Sequence, residues 1–157
     1  MITLLGAKSL FNYNSDTGIL TYAKTGHRRF GKVVGIKDKE GYIRISVSGI
    51  QYKVHRIIWL MAYGVWPKNE IDHINGIRDD NRLSNLRGAT RLQNARNRKS
   101  SYAMKGITFY RDKQKFAGRI RYENKVIHLG YFDCPAAAHF AYIVAATKYH
   151  GEFARFR

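Results

Sequence analysis

Cysteine, acidic residues and long apolar runs are scarce in this sequence, and each shortage excludes a class of protein. Cys134 stands alone among 157 residues, so neither a disulfide framework nor a cysteine-based zinc site can form within one chain. The most apolar stretch, Ile57 to Tyr63, is far shorter than the roughly 20 residues that a membrane helix requires. Met1 to Lys8 lacks the pattern of a signal peptide. We therefore expect a soluble, cytoplasmic protein that does not engage a membrane.

The shortage of acidic residues leaves the chain strongly basic. Eleven acids stand against 28 lysines and arginines, which gives a formal charge of +17. Such a charge favours a polyanionic partner such as nucleic acid and says little about the fold. Several of the few acids nevertheless lie close together in the chain, at Glu70, Asp72, Asp79 and Asp80. A bound cation is one reason for a local acidic cluster in a basic protein.

Alternating and turn-forming residues predict β-structure in the first third of the chain. Residues 42–47 alternate in polarity, and Ser48-Gly49 is suited to a two-residue turn into a second strand over residues 50–54. Residues 57–63 then predict a short buried helix. The N-terminal part is therefore expected to be a β-hairpin region of an α+β protein.

A strand–loop–strand–helix unit is predicted at about residues 70–98. Its strands fall at residues 70–74 and 83–87, and Thr90 is a good cap for the helix that follows. This ββα unit forms the expected core of the N-terminal domain.

Four side chains of this unit supply what phosphodiester hydrolysis needs. A neutral histidine can take a proton from water near physiological pH, which makes His73 a candidate general base. Asp72 and Asn94 offer only oxygen ligands, which favours one Mg²⁺ or Mn²⁺ ion per chain over zinc. Strand alternation puts Asp72 and His73 on opposite faces, so both can serve one site only if the backbone turns at His73. Asn85 is the candidate for bracing that loop.

Some alternatives stay open at this point. Asn97 and Gln93 can replace Asn94 at the metal, although their spacing fits less well. His55 directly precedes the predicted helix, which favours a structural histidine over a ligand. The Asp-His pair itself can be structural, since Asn75-Gly76 is simply a good turn.

This constellation resembles the HNH endonucleases, in the form common among phage and homing nucleases. The matching runs are Asp72–Gly76, Asp80–Arg87 and Arg91–Asn97. The resemblance covers roughly residues 10–98 and implies that His73 is the general base, Asn85 braces the loop, and Asp72 and Asn94 hold the metal. The implied reaction is single-metal cleavage of DNA, as a nick or, through paired protomers, as a double-strand cut.

Beyond a basic linker at residues 99–104, the pattern restarts as three strands and a helix. The strands are predicted at residues 106–110, 115–122 and 126–131, and the helix at residues 135–150, with Asp133 as its cap. We expect a three-stranded antiparallel sheet with an apolar face packed on the helix and a cationic face left free. On the third strand, alternation predicts that the apolar face carries Ile127, Leu129 and Tyr131, opposite His128.

The second pattern resembles the plant ethylene-response-factor type of DNA-binding domain, which also occurs fused to HNH nucleases. The matching runs include Lys115–Arg121 and Leu129–Asp133. The resemblance implies DNA contact through the exposed sheet face, although the tryptophans of that family are replaced here by Lys113 and His128. With the basic residues beside them, the DNA-binding candidates are Arg96, Arg98, Lys99, Lys105, Thr108, Arg111, Lys113, Arg119, Arg121 and His128.

The predicted organisation is an HNH nuclease domain over residues 1–98, a linker over residues 99–104 and a DNA-binding domain over residues 105–157. The predicted function is a metal-dependent endonuclease that cuts double-stranded DNA, as a monomer or homodimer, inside a host cell if it is phage-encoded. One rival is a non-catalytic, sequence-specific DNA-binding protein whose ββα unit is only a scaffold. Another is a nuclease directed at RNA.

Overall fold

The computed structural model describes residues 1–23, 28–98 and 104–157. The chain divides into two compact units, Met1–Arg91 and Leu92–Arg157. Both combine helices with small antiparallel sheets, so the α+β class expected from the sequence is confirmed. Of the predicted linker, residues 99–103 lie outside the described ranges. Within those ranges, every helix is too short or too polar to traverse a bilayer.

Among its described residues, the first unit has three antiparallel sheets, which contain two, three and two strands in chain order. Its elements, in chain order, are α1 (Leu4–Leu10), β1 (Phe11–Tyr13), β2 (Leu20–Tyr22), β3 (Ile36–Lys37), β4 (Ile43–Val47), β5 (Ile50–Lys53), α2 (Val54–Tyr63), β6 (Glu70–His73) and β7 (Leu86–Ala89). Their core includes fully or nearly fully buried side chains of Phe11, Leu20, Val34, Ile57 and Ile58.

The predicted hairpin of β4 and β5 is confirmed. Val47 pairs with Ile50 across the turn, and both turn residues have positive φ, 49° at Ser48 and 78° at Gly49. Positive φ at both central residues is the type I′ geometry, whose twist matches that of paired strands. The alternation also holds, since Ile45 is buried in the core while Arg44 on its neighbouring position is exposed.

Helix α2 begins at Val54, three residues earlier than the predicted start at residue 57. Val54, Ile57 and Ile58 are all buried, which is the spacing of one helical face rather than of a strand. The sequence predicts Val54 as the end of the preceding strand, because Val54 is β-branched and follows an alternating run. His55 therefore lies inside the first turn of the helix, and the expectation that it precedes the helix is wrong.

Helix α1 and strand β1 were not predicted. The Thr3 hydroxyl caps α1 by accepting the Gly6 backbone N–H at 3.1 Å, and Ala7 is fully buried against the rest of the unit. A seven-residue helix with one buried side chain gives too weak a periodic signal to detect.

The second unit has a three-stranded antiparallel sheet that packs on one long helix, and the second of its strands in sequence lies at the centre of the sheet. Its elements are α3 (Arg91–Arg96, whose first residue ends the first unit), β8 (Ile107–Tyr110), β9 (Lys115–Tyr122), β10 (Lys125–Phe132) and α4 (Pro135–His150). Ile120 of β9 is buried with Tyr142 and Ala146 of α4. The predicted sheet on one helix is therefore present, and the predicted bounds of α4 are confirmed.

Two local predictions for this unit are wrong. Cys134, not Asp133, is the N-cap residue of α4, and no side chain caps the helix there. The Asp133 carboxylate lies 3.1 Å from the Lys115 Nζ instead. On β10, the register shifts between His128 and Gly130, and Tyr131 pairs with Ala117. The bulge reverses the alternation, so Tyr131 lies on the same face as His128 rather than opposite it.

Candidate active site

Strands β6 and β7 form an antiparallel pair that carries the predicted catalytic residues. Asp72 pairs with Arg87, and His73 pairs with Leu86 at the end of β6. The second strand was predicted from residue 83, but a 3-10 turn occupies Leu83–Asn85 and β7 begins only at Leu86. The turn is tight because the Asn85 backbone N–H donates to the Arg82 carbonyl at 2.9 Å.

Asn85 binds the loop that follows His73. Its Oδ1 accepts the Asn75 backbone N–H at 3.0 Å, and its Nδ2 donates to the Asn75 Oδ1 at 3.0 Å and to the Asp80 backbone oxygen at 2.8 Å. Its own carbonyl accepts the Ile74 N–H at 2.9 Å. Because Asn85 is buried, these bonds satisfy polar groups that water cannot reach. The contacts suit the bracing role predicted from the sequence.

Two acids of the sequence cluster are paired with cationic side chains. The Asp80 carboxylate accepts the Arg82 Nε at 2.8 Å and Nη2 at 2.6 Å, and this contact lowers the pKa of Asp80 to about 2. The Asp79 Oδ2 lies 2.6 Å from the Lys37 Nζ. Both carboxylates thus shape the loop, and their presence in a basic protein has a structural explanation.

His73 is held on several sides. Its Nε2 lies 3.2 Å from the Asn81 Oδ1, and its ring packs perpendicular to the His55 ring with centroids 5.0 Å apart. The Tyr42 ring lies 5.9 Å away. Burial lowers the pKa of His73, and the contact with Asn81 opposes that effect. A lowered pKa favours the neutral imidazole, which is the form that a general base requires.

Sequence reasoning did not single out Asn81. It lies eight positions after His73 in a loop of turn-forming residues, where an asparagine is ordinary. Asn81 differs from an ordinary loop asparagine in its burial, since it is only 3% exposed. An exposed loop asparagine would not contact the His73 ring in this way.

His55 is buried in the first turn of α2. Its Nδ1 has no hydrogen-bond partner among the described residues. Burial, together with the positive charge that His73 gains when it is protonated, lowers the pKa of His55 to about 3. A histidine with this pKa stays neutral at every pH at which the protein would work.

We expect the buried His55 to make the protein less stable in acid. Its pKa is about 3 in the folded chain and about 6.5 when unfolded, so the unfolded state binds more protons between these values. The free energy of unfolding should therefore fall as the pH drops below about 6.5, by up to about 1.4 kcal/mol per pH unit from this group. Urea unfolding followed by circular dichroism at pH 7, 6, 5 and 4 measures the slope. A His55→Phe variant, which keeps a ring but cannot titrate, should show a shallower slope; equal slopes would contradict the assignment.

The Asp72 carboxylate is paired with Arg87 across the two strands. The Asp72 Oδ2 accepts the Arg87 Nε at 2.9 Å and Nη2 at 2.8 Å, with the two side chains only 5% and 13% exposed. A buried carboxylate needs a positive partner, and the guanidinium provides one. Asp72 and His73 thus have different neighbours, as expected of adjacent strand positions.

Asp72 is the carboxylate among the metal ligands predicted from the sequence. Within the described residues, no three His, Cys, Asp or Glu side chains come together as a metal-binding group. Mg²⁺ does not require such a group, since it keeps several waters and binds through one or two carboxylates plus substrate phosphates. The Asp72 Oδ2 already accepts two bonds from Arg87, so a divalent ion would share this carboxylate with the guanidinium.

The other predicted ligands and the DNA-binding candidates lie in the second unit. Asn94 is on α3, Gln93 is beside it, and Asn97 directly follows the helix. Lys99 lies outside the described residues. The Lys105 Nζ donates to the backbone oxygens of Arg96 at 2.9 Å and of Arg98 at 2.8 Å, so it binds the end of α3.

One face of the second unit's sheet combines aromatic rings with cations. The Lys113 Nζ lies 4.1 Å from the centre of the Tyr131 ring, and the Arg119 guanidinium lies 4.9 Å from that of Tyr110. The His128 ring packs on Tyr131 with centroids 4.5 Å apart. The cationic face predicted from the sequence therefore also carries tyrosines, which cross-strand pairing brings together. We call this surface the aromatic–cationic face; beside these residues it includes the exposed Thr108 and Arg121, and Arg111 follows directly after β8.

The first unit has a cationic cleft that sequence reasoning did not identify. The cleft has a volume of about 800 Å³, and its basic lining residues are Arg28, Arg29, Lys32, Lys37 and Arg44. Lys37 is paired with Asp79 and Arg44 with Asp38, so the acids offset part of this charge. The sequence showed only a basic, glycine-containing stretch here.

Comparison with known proteins agrees with this geometry. Residues 52–96 match the model of the HNH endonuclease family, a segment that includes α2, β6, β7 and the loop around His73. The chain is also 31% identical over 108 residues to protein 3.8 of Escherichia phage T7, an alignment that covers 66% of this chain and 88% of that protein. The chain therefore belongs to the same family as that phage protein, and it carries an HNH endonuclease domain. No solved structure matches the chain.

Proposed function

We propose that this chain is a metal-dependent endonuclease that hydrolyses phosphodiester bonds in double-stranded DNA. The observation that carries the proposal is His73, a buried imidazole fixed by neighbouring rings and an amide within the HNH segment. A neutral base held in a fixed position is what activation of a water molecule requires. Membership in a family with a phage relative supports a phage or homing type of enzyme acting inside a host cell.

In the proposed reaction, His73 takes a proton from water as the water oxygen bonds to phosphorus. The bond from phosphorus to the 3′-oxygen breaks and that oxygen takes a proton from solvent, which leaves a 3′-hydroxyl and a 5′-phosphate. Asp72, with Asn94 as the second predicted ligand, would hold the divalent ion. When bound, that ion supplies charge neutralisation at the phosphate and at the leaving oxygen. Asn85 keeps the loop after His73 in place through its three side-chain hydrogen bonds.

The aromatic–cationic face is the proposed DNA-binding surface. Arginine and lysine side chains neutralise phosphates, and tyrosine rings give contact area at low cost in side-chain entropy. A narrow sheet can enter the major groove, as in other proteins that read DNA with strands. The sequence motifs support a domain of the ethylene-response-factor type in this unit, with DNA held there while the nuclease domain cuts.

We expect Arg121→Ala to weaken DNA binding and to leave cleavage at saturating DNA unchanged. Arg121 is exposed on β9, and its loss removes one phosphate contact but no catalytic group. Gel-shift titrations at several salt concentrations should show weaker binding and a slope against log salt that is smaller by about one. Lys148→Ala is the matched control, because Lys148 is an exposed cation on α4, away from the sheet face. Loss of cleavage at saturation in Arg121→Ala, or equal effects of both variants, would contradict this assignment.

The proposed function is tested by incubating supercoiled plasmid and random-sequence duplex libraries with the protein in Mg²⁺, Mn²⁺ or EDTA. Metal-dependent open-circle product would support nicking, and linear product would support paired cuts by two protomers. Duplex binding without any cleavage of the library would favour the non-catalytic DNA-binding protein. Preferential cleavage of RNA in a competition with duplex DNA would favour a nuclease directed at RNA.

A further inference from the structure

We infer that Asn81 is a positioning residue that fixes the tautomer of His73 and makes Nδ1 its basic nitrogen. This inference rests on the proposed function of His73 as the general base. It goes beyond that proposal because it identifies which ring nitrogen accepts the proton and which residue decides the choice.

The His73 Nε2 and the Asn81 Oδ1 meet at 3.2 Å. A neutral imidazole has one N–H group and one nitrogen with a lone pair. The Asn81 Oδ1 has no hydrogen to give, so the Nε2 of His73 must be the donor in this contact. The lone pair is then on Nδ1, and only Nδ1 can take a proton from water.

Asn81 is itself held firmly enough to impose this choice. It is 3% exposed, its backbone N–H donates to the Asp79 carbonyl at 3.1 Å, and its backbone oxygen accepts the Tyr13 hydroxyl at 3.0 Å. Tyr13 belongs to β1, so a strand 68 positions earlier in the chain fixes this loop residue.

The turn between β1 and β2 also fixes the backbone around Asn81. Gly18 has φ of +74°, and a Cβ there would lie 2.5 Å from the Arg82 nitrogen and 2.7 Å from the Asn81 carbonyl carbon. Only glycine allows the turn to come this close. The N-terminal hairpin therefore supports the partner of the proposed base, which gives it a part in the active site.

The ring of His73 cannot easily turn to offer its other nitrogen to Asn81. His55 packs edge-on against it at 5.0 Å between centroids, and Tyr42 lies 5.9 Å away. These rings restrict rotation about the side-chain bonds, and the amide then determines the protonation pattern within that one orientation.

The test is to identify the tautomer directly by ¹⁵N nuclear magnetic resonance of the metal-free protein labelled in its histidines. The His73 signals are assigned as those that disappear in His73→Gln, and the spectra are recorded at a pH where His73 is neutral. We expect wild type to show a protonated Nε2 and an unprotonated Nδ1. A proton on Nδ1 with a bare Nε2 would mean that the Asn81 amide turns its nitrogen to the ring, and it would overturn the inference.

Two variants separate positioning from simple support of the fold. Asn81→Asp keeps an acceptor oxygen and should keep the Nε2–H tautomer, whereas Asn81→Leu should give a mixture of tautomers. Single-turnover cleavage should fall about 10- to 100-fold in Asn81→Leu. A single, unchanged tautomer in a folded Asn81→Leu would count against the inference.

The tautomer measurement does not depend on catalysis. If wild type shows the expected tautomer but cleaves no nucleic acid, the proposed function fails while the role of Asn81 toward His73 stands. If wild type cleaves DNA and shows the opposite tautomer, the proposed function stands and the role of Asn81 fails.

Discussion

We expect His73→Ala to lose metal-dependent DNA cleavage while it still binds DNA. A positioned general base contributes about 10²- to 10⁴-fold to a reaction, so single-turnover cleavage should fall by that factor. His73 is on β6 of the first unit, whereas the aromatic–cationic face belongs to the second unit, so affinity should be kept. The measurement is cleavage at saturating DNA and metal, with gel-shift titration of the same protein.

Removal of a buried ring also leaves a cavity, so this result needs a control for folding. His73→Gln fills more of the space and keeps a polar group near Asn81, but it has no nitrogen that can act as a base. We expect it to be as inactive as His73→Ala, with a circular dichroism spectrum like that of wild type. Cleavage by either variant within a few-fold of wild type would refute the assignment of His73 and would favour the scaffold interpretation.

The parts of the fold that the sequence predicts are those governed by local periodicity. Strand β9 and helix α4 have the predicted bounds because alternation and small residues run without interruption through them. The turn at Ser48-Gly49 was predictable for a similar reason, because positive φ at two positions has a strong residue preference. The segment that holds His73 was predictable from spacing, and the family match over residues 52–96 agrees with it.

The parts that the sequence does not predict depend on contacts between distant segments. The bond between Tyr13 and Asn81 joins residues 68 positions apart, and nothing in either local pattern indicates it. The pair of Asp72 and Arg87 depends on the register of β6 with β7. The sequence predicts the second strand from residue 83, whereas β7 begins at Leu86, so the sequence does not give this register. The bulge before Gly130 is a break in alternation, so a rule based on alternation placed Tyr131 on the wrong face.

The second large effect is expected at Asp72, where Asp72→Asn should lose cleavage and metal affinity but keep the fold. The substitution removes the one carboxylate charge that would hold the divalent ion and changes the side-chain shape little. Loss of several kcal/mol of charge stabilisation corresponds to a rate lower by at least about 100-fold. Mn²⁺ binding, followed by electron paramagnetic resonance, and Mg²⁺ titration of cleavage measure the two effects separately. Glu70→Gln is the matched control, because it removes an exposed carboxylate from the same strand.

Asparagine is a better test than alanine because of Arg87. In Asp72→Ala, the guanidinium would lose the Asp72 carboxylate while only 13% exposed, and breaking a buried ion pair costs about 3 to 5 kcal/mol. Loss of activity would then mix unfolding with loss of metal. In Asp72→Asn, the amide oxygen can still accept the hydrogen bonds that Arg87 donates at 2.8 and 2.9 Å in the wild type. The free energy of unfolding should therefore fall less than in Asp72→Ala. An Asp72→Asn protein that cleaves with the metal dependence of wild type would show that the Asp72 carboxylate does not hold the ion.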